Sequence, residues 1–220
     1  MAITTSMSTS YKSELMQSAH CFNGTITATG NSHTNDTLDS LSSAAGIAVG
    51  MGLQSGGDVP SDCVVVNFNS TTSITVYPPL IGSHVGATYT FLGDVYNIAL
   101  IKSGMAGTYG PGNINYSDIT GNSDEVTGSG YSAGGTALGN VTPVTSGTTA
   151  YTTFSPNPSW TSATFATAGC MIYNTFMRLA GIAGRCCGVF DFGGTQSVSS
   201  GVFTVIMPAS GSTTAILRIA

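Results

Sequence analysis

The side chains best suited to chemistry in this chain are three histidines, one cluster of acids and five cysteines. His20, His33 and His84 stand apart: none has a second ligand four residues away, and no cysteine pair has zinc spacing, so no metal centre is expected. Serines are everywhere, which leaves a Ser–His–Asp triad open, but no nucleophile elbow marks one. Asp118, Asp124 and Glu125 form the one acidic cluster. Two carboxylates could flank a glycosidic bond, or Asp118, Asn122 and Asp124 could hold calcium, although the run misses the EF-hand pattern. A solvated acidic loop is the simpler reading and the one adopted. Gly128-x-Gly130-x-x-Ala133 matches a dinucleotide fingerprint in letters only. That fingerprint needs a strand before it and a helix after it, whereas Asn122-Ser123-Asp124-Glu125 precedes and Gly134-Gly135 follows. The residues assign no catalytic, cofactor-binding or metal-ligating role, so no enzyme and no cofactor are expected.

Cys21, Cys63, Cys170, Cys186 and Cys187 are an odd set at irregular spacing. Adjacent Cys186 and Cys187 should point to opposite faces of a strand and make poor disulfide partners. They read as small buried apolar residues.

Composition bounds the rest. Charged residues are 7% of the 220-residue chain, against about 25% in an ordinary domain. Hydroxyls, amides and 29 glycines replace them. Ions are costly to desolvate, whereas a hydroxyl can be buried with one hydrogen bond, so such a surface is suited to packing against neighbours. With only Lys12, Lys102, Arg178, Arg185 and Arg218 as cations and a net charge of −5, direct nucleic-acid binding and a polybasic membrane anchor are not expected. The first twenty residues lack the basic start and apolar run of a signal peptide, and no window approaches the ~20 apolar residues of a spanning helix. Synthesis in a cytoplasm is the expectation.

Residues 1–9 read as an extended polar arm expected to lie along a neighbouring molecule, anchored by Ile3 and Met7. Tyr11, Leu15, Ala19 and Phe22 then mark one stripe of a short helix. From Gly24 the period changes to two, in β-branched runs punctuated by Gly, Asn and Pro. These include Thr25–Thr29, a weaker Asp36–Leu41, Gly46–Met51, Cys63–Phe68 and Thr72–Tyr77. Short strands at this pitch predict a small β-barrel or half-sandwich. Later strands are expected at Thr88–Ile101, Thr136–Val144, Ala150–Phe154, Ser162–Tyr173, Cys186–Phe192, Val202–Met207 and a closing Thr214–Ile219. Asn174–Arg185 reads as a helical turn around Phe176, Met177 and Leu179. The glycine-rich stretch from Ser103 to about Gly135 reads as a contact loop, with Tyr109, Tyr116 and Tyr131 as interface tyrosines.

Several segments, in this order and spacing, resemble a family of tailed-bacteriophage virion structural proteins. They are Ser10–Leu15, Val95–Leu100, Gly128–Gly135, Pro158–Phe165 with Ile172-Tyr173-Asn174, Val189–Gly193, and the closing Phe203-Thr204-Val205, Pro208-Ala209 and Ala215–Ile219. Between them, Gly24–Asn31, Val49-Gly50-Met51 and Val59-Pro60-Ser61 resemble a β-module inserted in many phage surface proteins. Phe176–Gly184 departs from the family pattern, as an apolar insertion where a short loop is usual. The combined expectation is an all-β chain: an antiparallel sandwich or jelly-roll-like body (1–22 plus 91–220), one short N-terminal helix, and an inserted β-barrel (23–90). The two ends of the insertion must lie together. The resemblance implies a virion component, expected to be a capsid decoration (cement) protein on the capsid surface that bridges the major capsid protein and copies of itself as a homotrimer. Ile3, Met7, Tyr11, Leu15, Tyr109, Tyr116 and Tyr131 are its expected assembly contacts. The alternative is a tail, fibre or head-spike component that binds a host surface glycan.

Overall fold

The computed structural model describes residues 1–55, 57–178 and 181–220, and is mostly β. The chain opens with β1 (Ser6–Met7) and helix α1 (Thr9–Met16). Six strands follow: β2 (Ile26–Ser32), β3 (Thr37–Asp39), β4 (Gly52–Gln54), β5 (Val64–Ser70), β6 (Ser73–Tyr77) and β7 (His84–Leu92). They close into an antiparallel barrel in the order β2-β3-β6-β5-β4-β7. Next come β8 (Tyr96–Lys102), the single turn α2 (Ser117–Thr120), β9 (Thr136–Leu138), β10 (Val144–Ser146) and β11 (Thr149–Thr152). Two long strands, β12 (Ser159–Met177) and β13 (Ile182–Thr204), and a short β14 (Leu217–Ile219) finish the chain. The body holds a five-stranded sheet, β1-β13-β12-β8-β9, and a three-stranded one, β10-β11-β14.

The barrel forms because its strands alternate. Ile74 and Val76 of β6 and Tyr89 and Phe91 of β7 point inward and are buried, with Leu38, Leu53 and Val65 beside them. Its two ends meet at the body. The Asp94 N–H donates to the Cys21 carbonyl (2.9 Å), and the Cys21 N–H donates to the Asp94 carboxylate (3.0 Å). An insertion into a single fold requires this closeness.

The five-stranded sheet is covered on both faces, so its central strands are nearly continuous apolar runs. Ile98, Leu100, Cys170, Ile172 and Cys187 face one core, shared with Phe154 and with Leu217 of the smaller sheet. Ala99, Ile101, Met171, Tyr173, Cys186 and Val189 face the other. Cys186 and Cys187 thus fall on opposite faces, and all five cysteines are free and buried.

Several local expectations are corrected. The helix stops at Met16, so Ala19 and Phe22 lie beyond it, and Glu14 joins Tyr11 among its buried residues. Asn174–Arg185 is no helical turn: β12 runs through Met177 and β13 begins at Ile182, while Leu179 lies outside the described residues. The strand expected at Gly46–Met51 is displaced to Gly52–Gln54. Cys186–Phe192 and the run from Val202 belong to one strand that passes through Gly193 and Gly194, whose positive φ values (75° and 142°) carry an irregular register, and Val205–Met207 lies past its end. The arm, expected to reach a neighbour, lies on its own sheet. Ser6 and Met7 pair with Val189 and Gly188, and the Thr4 N–H donates to the Tyr109 carbonyl (2.8 Å).

Candidate assembly surface

The acidic cluster is the first place to look for chemistry, and its geometry is structural. Asp124 has no exposed surface. It accepts from the Ala106 N–H (2.7 Å), the Gly107 N–H (2.6 Å) and the Tyr109 hydroxyl (2.7 Å), with Lys102 Nζ at 3.4 Å. Burial alone would raise its pKa, but the hydrogen bonds from Tyr109, Ala106, Gly107 and Lys102 together outweigh burial and hold the carboxyl below 3.8. Glu125 accepts from the hydroxyls of Tyr116 and Tyr131 and from the Gly134 N–H (2.7 Å). Asp118 accepts from the Ile114 N–H (2.8 Å) and from Asn113 Nδ2 (3.2 Å). The reading of a solvated acidic loop is therefore corrected for Asp124 and Glu125. Both are buried anchors that fold the 103–135 stretch onto the sheet, and their lone pairs are turned to the chain's own donors.

Each histidine meets a carboxylate: His20 meets Glu14 (2.8 Å), His33 meets Asp39 (3.0 Å) and His84 meets Asp58 (3.5 Å). His20 Nδ1 faces Asn174 Nδ2 (3.0 Å), and among the described residues no Ser, Thr or Cys side chain hydrogen-bonds to a histidine ring. No group of three or more His, Cys, Asp or Glu side chains is placed to hold a metal among them. Two buried acids that sequence reasoning passed over matter more to the fold. Asp58 accepts from Ser32 (2.6 Å), Tyr89 (2.6 Å) and Ser55 (2.9 Å) inside the barrel. Asp94 accepts from Cys21 N–H and from Asn174 Nδ2 (2.7 Å) at the junction. All of these partners but Ser55 lie tens of residues away, so no local pattern announces them.

The seven expected contact residues divide by exposure. Ile3, Tyr11 and Tyr109 are buried in their own chain and have little surface to give a neighbour. Tyr116 and Tyr131 are half-buried over Glu125, and Tyr116 stacks on Tyr173 (centroids 4.5 Å apart). Met7 and Leu15 are half-buried and line a groove. Only these last two sit together at an open surface.

That groove runs between α1 and β14, with a volume of 430 Å³, and is lined by Met7, Lys12, Leu15, Met16, Arg218 and Ile219. It shares Met7, Leu15, Arg218 and Ile219 with a smaller apolar pocket of 120 Å³ that reaches Tyr11 and Phe22. A second groove of 320 Å³, lined by Phe190, Phe192, Val205, Ile206 and Ile216, lies on the other flank of the same C-terminal segment. Met16, Ile206 and Ile219 are 89%, 72% and 59% exposed. Large exposed apolar side chains gathered along grooves mark surfaces that meet something apolar. Lys12 and Arg218 at the first groove have no acidic partner among the described residues.

No protein-family model, curated protein or solved structure matches this chain.

Proposed function

We infer that this chain is a non-enzymatic structural protein of a virus particle: a capsid decoration (cement) protein that binds the major capsid protein and its own copies, as a homotrimer at local three-fold positions. The observation that carries the reading is the pair of apolar grooves flanking Thr214–Ile219 on a chain with 7% charged residues. Covering the apolar walls of these grooves removes area from water at about 25 cal/mol per Å², and at the first groove a partner must also meet the unpaired cations Lys12 and Arg218. The resemblance of the body segments to virion proteins of tailed phages supports the same reading. The arm is taken up by its own sheet, so bridging passes from the arm to the grooves.

Sedimentation velocity across a concentration series tests it. The wild-type chain should sediment as a trimer, and Met16→Asp with Ile219→Asp should shift it to monomer while the fold is kept, because both side chains are exposed. A wild-type chain that stays monomeric at every concentration and binds no capsid contradicts the reading.

A further inference from the structure

In a chain so poor in charge, each ion without a counter-ion is informative. Most of those in the body are engaged. Lys102 stands 3.4 Å from Asp124, Arg185 pairs with Glu14, and Asp94, Asp118 and Glu125 accept hydrogen bonds from the chain's own donors. The exposed side-chain cations left over among the described residues of the body are Lys12 and Arg218, and both line the groove between α1 and β14. The exposed acid left over there is Asp191, which has no cationic partner.

Asp191 stands at the border of the second groove. Phe190 and Phe192, on either side of it in β13, line that groove, and so does Thr5, whose hydroxyl accepts from the Asp191 N–H (2.9 Å). The carboxylate is open to solvent: its Oδ1 accepts from the Gly193 N–H (2.9 Å), and its Oδ2 has no partner among the described residues. Exposed apolar side chains accompany the charges at both places. Met16 and Ile219 stand at the cationic groove and Ile206 at the acidic one.

Charge decides what covers these surfaces. Two cationic grooves facing each other across a two-fold axis would set Lys12 and Arg218 against their own kind, and two acidic ones would bring the Asp191 carboxylates together. Unlike faces are complementary in charge, and both are apolar. We propose that copies of this chain join head to tail: the groove between α1 and β14 of one copy seats on the Phe190–Phe192 groove of the next, Arg218 meets Asp191, and Met16 and Ile219 pack against Phe190, Phe192 and Ile206. The proposal rests on the assembly reading and assigns which surface meets which. Such a contact uses each surface once per copy, and a third of a turn per step closes it into a trimer. An exposed charge pair contributes little alone, but a closed ring holds three. A reversal that weakens each contact by about fivefold therefore lowers the trimerisation constant by about a hundredfold.

The test is sedimentation velocity of the wild-type chain, Arg218→Asp, Asp191→Arg and the double variant, each across a concentration series at low and high salt. Both side chains are exposed, so the fold should be kept, with thermal unfolding as the control. Each single reversal should lower the trimerisation constant by about a hundredfold, and the double variant should assemble better than either, because unlike charges again face each other. Added salt should weaken the wild-type trimer and strengthen assembly of the single variants, by screening attraction in one and repulsion in the other. If a reversal unfolds the chain, Arg218→Gln and Asp191→Asn replace the pair, and together they should lose no more than the worse of the two alone. A wild-type trimer that both single substitutions leave intact, or a double variant impaired by the sum of the two, overturns the head-to-tail contact and leaves the assembly reading standing. A wild-type chain that is monomeric at every concentration overturns both.

Discussion

Asp124→Asn removes a charge whose every surrounding atom is placed for it. Two backbone N–H groups and a tyrosine hydroxyl aim at the carboxylate within 2.9 Å, and the side chain has no exposed surface. The amide keeps one acceptor oxygen but turns an NH₂ toward donors that then have no acceptor. Hydrogen bonds to a charged group contribute about 1.5–3 kcal/mol, and an orphaned buried donor costs about 1–3 kcal/mol. With water rescuing part of the loss, the net destabilisation is about 3 kcal/mol, a large share of a stability of about 5–15 kcal/mol. For a chain of this length that lowers Tm by about 6–12 °C. The assay is thermal and urea unfolding together with amide hydrogen exchange, because a local loss should appear first at Ala106, Gly107 and Tyr109. The folded-state pKa of Asp124 lies below 3.8, so its contribution is present above 3.8 and is lost as pH falls through the folded value. The variant should therefore match wild type more closely in acid than at neutral pH. A loss under about 1 kcal/mol at pH 7, with exchange at those three amides unchanged, refutes the assignment of Asp124 as the anchor of this loop.

Three further outcomes follow from the same geometry. Burial lowers the His20 pKa below 6.5, outweighing the pull of Glu14, so the unfolded chain binds a proton first and stability should fall as pH drops from 6.5 toward the folded value; His20→Gln should flatten Tm over that window. None of the five cysteines should react with a thiol reagent before unfolding, since all are buried and burial pushes the Cys63 thiol up to about 11 and Cys186 up to about 12; full reaction in denaturant is the control. Gly93→Ala should destabilise by about 3 kcal/mol, because the new Cβ would stand 1.9 Å from the Asn23 carbonyl at the barrel junction, where backbone cannot give way; a Tm within a degree or two of wild type would count against a tight junction.

The parts of the fold legible in the sequence were those set by local pattern. The barrel's short β-branched runs between Gly, Asn and Pro, and the opposed faces of Cys186 and Cys187, follow from a period of two. What stayed hidden depends on partners distant in the chain. Gly193-Gly194 reads locally as the end of a strand, yet β13 continues because Ser197 and Val198 find Ala166 and Phe165 across the sheet. The arm reads as a reach toward a neighbour because nothing near Ile3 tells of Tyr109 or of the cleft that buries it. Asp124 and Glu125 look solvated until donors from Ala106, Gly107 and Tyr131 are folded around them. Of the expected contact residues, Met7 and Leu15 line a groove in the structure, whereas the groove residues Ile219 and Ile206 read in the sequence only as parts of strands. Their exposure is a property of the packed body and leaves no mark in local alternation.

Whether this chain occupies a virus particle, and in how many copies, is the most direct test of the assembly reading. Cryo-electron microscopy of particles that carry this chain, with the protein quantified against the major capsid protein, should find it in hundreds of copies at three-fold positions on the capsid surface. A dozen copies or fewer, confined to the tail or a single vertex, would contradict it.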